Sequence, residues 1–310
     1  MIVGVNGELV DGREATVSVF DHGFMYGIGL FETFRTYGGE PFLLGRHLER
    51  LRDGCRQLGI RFDIGEDAAR RHIGELLKAN GLRDGYVRLS VSAGAEALGL
   101  PSGDYDHPNW IVYVKPLPDP DPRWRTEGRP LQLLALRRNT PEGAVRLKSF
   151  HYMNNILAKR ELDRYPWARG AEGLFLDAGG HVAEGIVSNL FMVGTSAAGR
   201  PALFTSSLQT GILPGVTRAF VLELAASLGV PAEEGLYTPR DFARFTAMFI
   251  TNSIMEIVPV SRIFDAEGRT VWAAEAGSCG EGEPLVGSLM QLYREAIERP
   301  YPVRAVKHID

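Results

Sequence analysis

The sequence has few cysteines and no long apolar run, and each of these shortages excludes a class of protein. Its 310 residues include only two cysteines, Cys55 and Cys279, which form neither a CxxC pair nor a disulfide framework. We therefore expect both thiols to serve packing in a reducing compartment, and a cytoplasmic location. No apolar run approaches the roughly 20 residues of a membrane span, and the first residues lack the basic and apolar regions of a signal peptide.

The sequence also lacks a charge excess and the short signatures of several enzyme classes. A net charge of −4 is too mild for a general nucleic-acid binder, which needs a basic patch. No GxGxxG follows a strand, and the P-loop, HExxH and GxSxG motifs are absent. The seven histidines show no metal-ligand spacing. We therefore expect no nucleic acid and no metal, and serine nucleophiles are disfavoured.

What is present is a pattern of apolar residues that predicts an α+β fold. Alternating apolar runs predict strands at residues 1–5, 15–19, 30–37, 41–44, 86–92, 110–115, 131–136, 173–177, 182–184, 189–193 and 247–251. Spacings of three and four residues predict helices at 46–58, 66–80, 152–164, 216–228 and 285–298. Four prolines within residues 116–122 predict a linker. We place domains at residues 1–118 and 128–310, with residues 119–127 between them.

Lysine is scarce as well, and this narrows the search for a catalytic amine. Only five of the 34 basic residues are lysines, and Lys148 differs from the rest because residues 145, 147 and 150 around it are apolar. If residues 145–150 form a strand, Lys148 is either an exposed strand residue or a partly buried amine. A buried amine has a lowered pKa and suits Schiff-base chemistry.

Two further segments carry candidate functional groups. Residues 213–218 (Leu-Pro-Gly-Val-Thr-Arg) lead into a helix, so they form either a plain helix start or a phosphate site made of free amides and the Thr217 hydroxyl. Glu184 stands between two apolar strands. It is either a surface turn residue or a buried carboxylate that needs a cationic partner, such as a protonated pyridine nitrogen.

Taken in order, five motifs resemble the fold-type IV pyridoxal-phosphate enzymes, which include branched-chain and D-amino acid aminotransferases and 4-amino-4-deoxychorismate lyases. The motifs are residues 31–33 (Phe-Glu-Thr), Lys148, and residues 184–191, 213–218 and 251–260. The resemblance covers nearly the whole chain. It implies a small N-terminal α/β domain, a larger β-barrel-like C-terminal domain, pyridoxal 5'-phosphate as cofactor, a small-molecule substrate, and a homodimer in which loops of one subunit close the other's pocket.

The resemblance also assigns roles to residues of this chain. Lys148 would be the catalytic residue that binds the cofactor covalently and moves protons, and Glu184 would pair with the pyridine nitrogen. Arg50 would hold the phosphate, although helical periodicity alone places it off the apolar face and predicts a solvated side chain. The other cofactor-binding residues that the resemblance implies are Val216, Thr217, Asn252, Ser253 and, near the phenolic oxygen, Tyr152.

Within this family the sequence favours a lyase that converts 4-amino-4-deoxychorismate to 4-aminobenzoate and pyruvate for folate synthesis. Residues 148–155, 209–213 and 251–254 look like those of Gram-positive-type lyases. Residues 90–94 lack the arginine with which D-amino acid aminotransferases bind a carboxylate. Residues 252–255 offer backbone donors, an amide and a hydroxyl beside an apolar methionine, which suits a flat ring larger than an aliphatic side chain. The alternatives are a branched-chain or D-amino acid aminotransferase, and a binding module with a decayed site.

Two positions depart from the family pattern. His22 stands where arginine often follows Asp21, and Ile28 stands where aspartate is usual. We expect both near the mouth of the active site, where they would influence the choice of substrate.

Overall fold

The strands form two β-sheets, one from each half of the chain. The computed structural model describes residues 1–298 apart from residues 102, 120, 276 and 278. The first sheet contains β1 (Ile2–Val5), β2 (Glu8–Asp11), β3 (Gly29–Tyr37), β4 (Glu40–Pro41), β5 (Tyr86–Ser92) and β6 (Asn109–Lys115). These strands lie in the order β2-β1-β6-β5-β3-β4 and are all antiparallel. The helices of this half are α1 (His22–Tyr26), α2 (Leu44–Gln57) and α3 (Glu66–Ala79).

The second sheet is larger and mixed. Its strands are β7 (Arg129–Leu133), β8 (Glu172–Leu176), β9 (Val182–Gly185), β10 (Asn189–Thr195), β11 (Pro201–Ser206), β12 (Ala232–Gly235), β13 (Phe245–Asn252), β14 (Glu256–Phe264) and β15 (Thr270–Ala273). They run in the order β12-β11-β10-β13-β14-β7-β8-β9, with β15 on β14. The helices are α4 (Met153–Leu162), α5 (Val216–Ser227) and α6 (Pro284–Glu298). The sheet curls so that its edge strand β9 comes back to β10.

The hydrophobic core between the first sheet and helices α2 and α3, here called the first core, explains the helical periodicity seen in the sequence. The apolar stripe of α2, which includes Leu48 and Leu51, packs with α3 against Phe34 of β3 and Val87 of β5. Cys55 is fully buried in this core, as its predicted packing role requires. Burying one helical stripe against one sheet face is the arrangement that an amphipathic pattern favours.

The second sheet buries both of its faces. In β10, Leu190 and Met192 belong to the core inside the curled sheet, whereas Phe191 and Val193 pack toward α5 and α6. Successive strand residues point to opposite faces, so a strand buried on both sides is a continuous apolar run. This is why residues 189–193 show no alternation with polar residues.

The predicted α+β class is confirmed, but several predicted elements differ from the structure. Residues 15–19 form no strand. The chain there reaches Asp21, which caps α1 by accepting a hydrogen bond from the Gly23 amide at 2.7 Å. Of residues 41–44 only Pro41 pairs in a strand, and α2 begins at Leu44. The sequence patterns also missed α1, β2, β11, β12, β14 and β15.

The chain passes from the first sheet to the second between β6 and β7. The connection contains one turn of 3₁₀ helix, Pro122–Arg125. The boundaries of the two domains stay a prediction, and residues 299–310, with Lys307, lie outside the described residues. None of the helices that the structure describes combines the length and apolarity needed to cross a membrane.

Candidate active site

A cavity of about 380 Å³ is lined by residues from both halves of the chain. It lies where β3, β5 and α2 of the first half face β9, β13 and the start of α5. The structure brings all eight predicted cofactor residues to its wall: Arg50, Lys148, Tyr152, Glu184, Val216, Thr217, Asn252 and Ser253. These residues span more than 200 positions of sequence, so the fold assembles one site from distant motifs.

Lys148 lies on an extended segment beside β3 rather than in a strand. The Phe31 amide donates to the Lys148 carbonyl at 2.9 Å, and the bridge between Leu30 and Ser149 is isolated. Within the described part of the chain the Lys148 ammonium makes no hydrogen bond or ion pair, and Nζ lies 4.7 Å from the centre of the Phe31 ring. Burial, together with the charge of Arg50, lowers the pKa of Lys148 to about 8. The amine is therefore available as a nucleophile or base near neutral pH.

Glu184 is buried on β9 and accepts three hydrogen bonds. Arg138 donates from Nε to Oε1 at 2.8 Å, while the Leu213 amide and the Asn189 side chain donate to Oε2 at 3.0 and 3.3 Å. The carboxylate is thus held in one orientation at the cavity wall. The sequence pointed to a buried acid that needs a cation, but it did not identify Arg138, which contributes that charge.

The start of α5 forms one end of the cavity. Gly215 is its N-cap, so the amides of Val216 and Thr217 have no acceptor within the helix. A side chain at position 215 would collide with Oδ1 of Asn189. The Thr217 hydroxyl lies 3.0 Å from that of Ser253. Free amides and hydroxyls at a helix N-terminus make an anion site.

Arg50 belongs to this end of the cavity, where periodicity alone predicted a solvated side chain. Its guanidinium pairs with Glu32 through Nε and Nη2 at 2.8 and 2.6 Å, and Nη1 donates to the Pro214 carbonyl at 2.8 Å. His47 donates to the same carboxylate from Nδ1 at 2.6 Å. The signal for Glu32 was already in the motif at residues 31–33, but its partners were not evident from sequence.

Tyr152 and Arg88 also line the cavity. The Tyr152 ring meets Phe31 edge-on with 5.5 Å between centroids, and burial raises the pKa of its hydroxyl. The Arg88 guanidinium carbon lies 3.6 Å from the centre of the same Phe31 ring, and Nε donates to the Ser90 hydroxyl at 3.1 Å. Although residues 90–94 contain no arginine, Arg88 therefore supplies a guanidinium to this part of the cavity wall.

The loop after β13 uses two of its own backbone donors. Oδ1 of Asn252 accepts hydrogen bonds from the amides of Ile254 and Met255 at 2.9 and 2.8 Å. These two amides are therefore taken up within the loop, and the part of residues 252–255 in binding a substrate stays a prediction. Thr251 adds a buried hydroxyl that has no partner among the described residues and belongs to the cavity wall.

His22 and Ile28 are not among the residues that line the cavity. His22 is fully buried, with Nδ1 at 3.1 Å from the Tyr105 hydroxyl and Nε2 at 3.0 Å from the Ala97 carbonyl. Ile28 packs against the first core. Neither side chain therefore forms part of the cavity wall, and the expected influence of both positions on the choice of substrate stays a prediction.

Comparison with known proteins identifies the family. The sequence model of the amino-transferase class IV family matches residues 29–263. The chain is 42% identical over 264 residues to the aminodeoxychorismate lyase of Bacillus subtilis (strain 168), covering 84% of this chain and 86% of the relative. It is 34% identical over 279 residues to a putative branched-chain-amino-acid aminotransferase of Methanocaldococcus jannaschii, covering 89% and 92%.

A solved structure shows the same fold. The crystal structure of 4-amino-4-deoxychorismate lyase from Pseudomonas aeruginosa superimposes with a TM-score of 0.79 at 30% identity, covering 96% of this chain and all of that one. The chain belongs to the class IV aminotransferase family of fold-type IV enzymes. Enzymes of this family depend on pyridoxal phosphate and act on small molecules.

Proposed function

We propose that this chain is a pyridoxal-phosphate-dependent lyase that converts 4-amino-4-deoxychorismate to 4-aminobenzoate and pyruvate in folate biosynthesis. The observation that carries the proposal is the 42% identity to the Bacillus subtilis lyase over most of both chains. The identity to the putative aminotransferase over a similar length is lower, at 34%. The geometry of the cavity supports the cofactor, while the similarity supports the choice of reaction.

The residues at the cavity wall fit pyridoxal phosphate in chemistry. The Lys148 amine has no partner in the described part of the chain, as a group that binds an aldehyde requires. Glu184 presents a fixed carboxylate for a protonated ring nitrogen. The unpartnered hydroxyl of Thr251 marks a polar group that the protein itself does not satisfy. The phosphate would be held by the end of the cavity formed by Arg50, Val216, Thr217 and Ser253.

When bound, pyridoxal phosphate supplies a carbonyl carbon for the substrate amine and a ring that withdraws electrons. Glu184, fixed by Arg138, would stabilise a positive charge on the ring nitrogen and so strengthen that withdrawal. The Lys148 amine, once free, takes the proton from the substrate carbon that carries nitrogen. The electron pair of that C–H bond expels the neighbouring enolpyruvyl oxygen, the ring becomes aromatic, and the departing enolate gains a proton to become pyruvate.

Arg88 supports an anionic substrate. Its Nε donates to Ser90, but its Nη atoms make no hydrogen bond within the described part of the chain, and the side chain lies at the cavity wall. A guanidinium with free N–H groups binds carboxylates well. Aminodeoxychorismate carries two carboxylates, so we assign Arg88 to one of them.

The proposal is tested by incubating the pure holoenzyme with aminodeoxychorismate in the absence of any 2-oxo acid and assaying pyruvate. We expect pyruvate release at a rate that Lys148→Ala abolishes and Lys159→Ala preserves, because Lys159 is exposed and paired with Asp163. We also expect only slow amino transfer from alanine or leucine of either hand. Rapid exchange between an amino acid and 2-oxoglutarate, with aminodeoxychorismate untouched, would favour the aminotransferase alternative.

A further inference from the structure

A buried acid and a buried histidine stand directly behind the phosphate end of the cavity. Glu32 of β3 and His47 of α2 are each 1% exposed, and neither lines the cavity. Burial alone would raise the pKa of Glu32, but the charge of Arg50 and the hydrogen bonds from His47 and Arg50 lower it to about 2. The acid is therefore an ionised group placed in the interior, which needs a reason beyond packing.

The hydrogen bonds of Arg50 show what Glu32 does to it. A guanidinium has five N–H groups. Glu32 takes one from Nε and one from Nη2, and the Pro214 carbonyl takes one from Nη1. One N–H remains on each Nη atom of this side chain, which lines the cavity. A guanidinium fixed in this way is suited to bind the oxygens of a phosphate group.

His47 extends the same hydrogen-bond network to Ser253, which lies in the loop after β13. Its Nδ1 donates to Glu32, since a carboxylate has no proton to give, and its Nε2 lies 3.4 Å from the Ser253 hydroxyl. Ser253 in turn lies 3.0 Å from the Thr217 hydroxyl in the first turn of α5. One buried carboxylate thus connects α2, the loop after β13 and the start of α5.

We infer that Glu32 and His47 are positioning residues that hold Arg50 and Ser253 in the arrangement that binds a phosphate monoester in the cavity. The inference rests on the proposed function, because it takes that phosphate to be the one on pyridoxal phosphate. Glu32 has two opposing effects. It aligns the Arg50 guanidinium, which strengthens phosphate binding. It also partly neutralises the Arg50 charge, which weakens phosphate binding. The inference is that alignment outweighs neutralisation.

Glu32→Gln removes both effects at nearly constant side-chain size, so the sign of the change in affinity shows which of the two is larger. Glutamine has one acceptor oxygen and one NH2 donor where glutamate has two acceptor oxygens, so Arg50 loses a charged hydrogen bond and its fixed orientation. Hydrogen bonds of this kind contribute about 1.5–3 kcal/mol, which corresponds to about 10- to 150-fold in affinity. We expect the Kd of the apoenzyme for pyridoxal phosphate to rise by about that factor.

Pyridoxal, which lacks the phosphate, shows whether the effect acts through the phosphate. Both compounds are titrated by absorbance into apoenzyme prepared from the purified holoenzyme. We expect the Kd for pyridoxal to be the same in wild type and Glu32→Gln. Glu223→Gln is the matched control, because it breaks the pair of Arg46 with Glu223 at 2.7 and 2.8 Å, which joins the same helix to α5 outside the cavity. It should leave both constants unchanged.

The outcomes are distinguishable. If Glu32→Gln binds pyridoxal phosphate as tightly as wild type or more tightly, or loses both compounds equally, the inference is wrong. Should Glu32→Gln fail to fold by circular dichroism, His47→Asn takes its place. The shorter asparagine side chain can donate to Glu32 but cannot reach Ser253, so a smaller and still phosphate-specific loss is expected, and an unchanged ratio overturns the inference. A wild type that binds no pyridoxal phosphate at Lys148 overturns the proposed function itself.

Discussion

Lys148 is an amine whose reactivity should depend on pH in a defined direction. Its pKa is lowered to about 8, mainly by burial and then by the charge of Arg50. Only the neutral amine attacks an aldehyde, and the neutral fraction grows as pH rises through the pKa. We expect the rate at which apoenzyme captures pyridoxal phosphate to increase from about pH 6 to about pH 9, with its midpoint near pH 8. Stopped-flow absorbance measures this rate.

The same residue should carry the cofactor in the purified protein. We expect a yellow protein in which borohydride fixes pyridoxal phosphate to a single lysine, and peptide mapping should find it at Lys148. Lys78, Lys115 and Lys159 provide the internal comparison, because none of them lines the cavity. An adduct at any of these lysines contradicts the assignment.

Glu184 should affect turnover more than cofactor binding. Glu184→Gln keeps an acceptor for Arg138 but removes the charge that faces the ring nitrogen, while the phosphate end stays intact. We expect the cofactor to remain bound and turnover to fall by about 100-fold or more, as when a preorganised charge partner is lost. Glu234→Gln is the control, since Glu234 pairs with the buried Arg218 at 2.6 Å away from the cavity. Near-normal turnover in Glu184→Gln would show that its charge has no role.

Some site residues could be predicted from sequence and others could not. Lys148 and Glu184 stand out because a charged residue within an apolar run needs a reason. Arg138 does not stand out in the sequence, because its partner Glu184 lies 46 residues away and only the fold brings the two together. Arg50 shows the limit of periodicity, which describes how a helix meets its main core but not a polar contact with a neighbouring strand or loop.

At the scale of elements, the start of α5 should tolerate no side chain at its N-cap. Gly215 has φ near −68°, so alanine costs nothing in backbone conformation. The added methyl group would instead collide with Asn189, which is tied to Glu184 and to the Leu213 carbonyl. We expect Gly215→Ala to weaken pyridoxal phosphate binding by about 10-fold or more and to lower the melting temperature. Cofactor titration and thermal unfolding measure the two effects.

Gly74 is the matched control for this substitution. It lies inside α3, and a methyl group there would meet nothing within 4 Å. Alanine in a helix interior is favoured over glycine by about 1 kcal/mol. We therefore expect Gly74→Ala to raise the melting temperature and leave cofactor binding unchanged. A Gly215→Ala protein that behaves like Gly74→Ala would show that the start of α5 has room for a side chain at its N-cap.

Most long elements could be predicted because each buries one stripe or one face in a single core. The helices α2, α3 and α5 begin and end within two residues of prediction for this reason. Short or exposed strands such as β12, with the sequence Ala-Glu-Glu-Gly, carry no apolar pattern and form because β11 offers a free edge. The segment at Lys148 has the composition of a strand, but only one bridge to β3 forms.

At the scale of the whole molecule, the exposed apolar surface points to a second copy of the chain. Phe24 is 72% exposed, Leu98 is 73% exposed and Met153 is 74% exposed. The three belong to one region, because Tyr26 of α1 accepts from the Gly99 amide at 3.1 Å and its carbonyl lies 3.4 Å from Nε2 of His151, just before α4. An exposed apolar patch of this kind marks an association surface.

The position of this surface predicts what a dimer would do for the site. His151 contacts Tyr26 of this region and also lines the cavity, so a partner seated there would cover the cavity mouth. We expect a homodimer by sedimentation, with an obligate interface well above about 2,000 Å² in total.

Phe24→Asp should place a charge in that interface, yield monomers and lose activity, because the cavity stays open to water. Leu236→Asp changes an exposed leucine that follows β12 in the second half and does not line the cavity, so it should leave a dimer with normal activity. A Phe24→Asp monomer that retains full turnover would show that the site is complete within one chain.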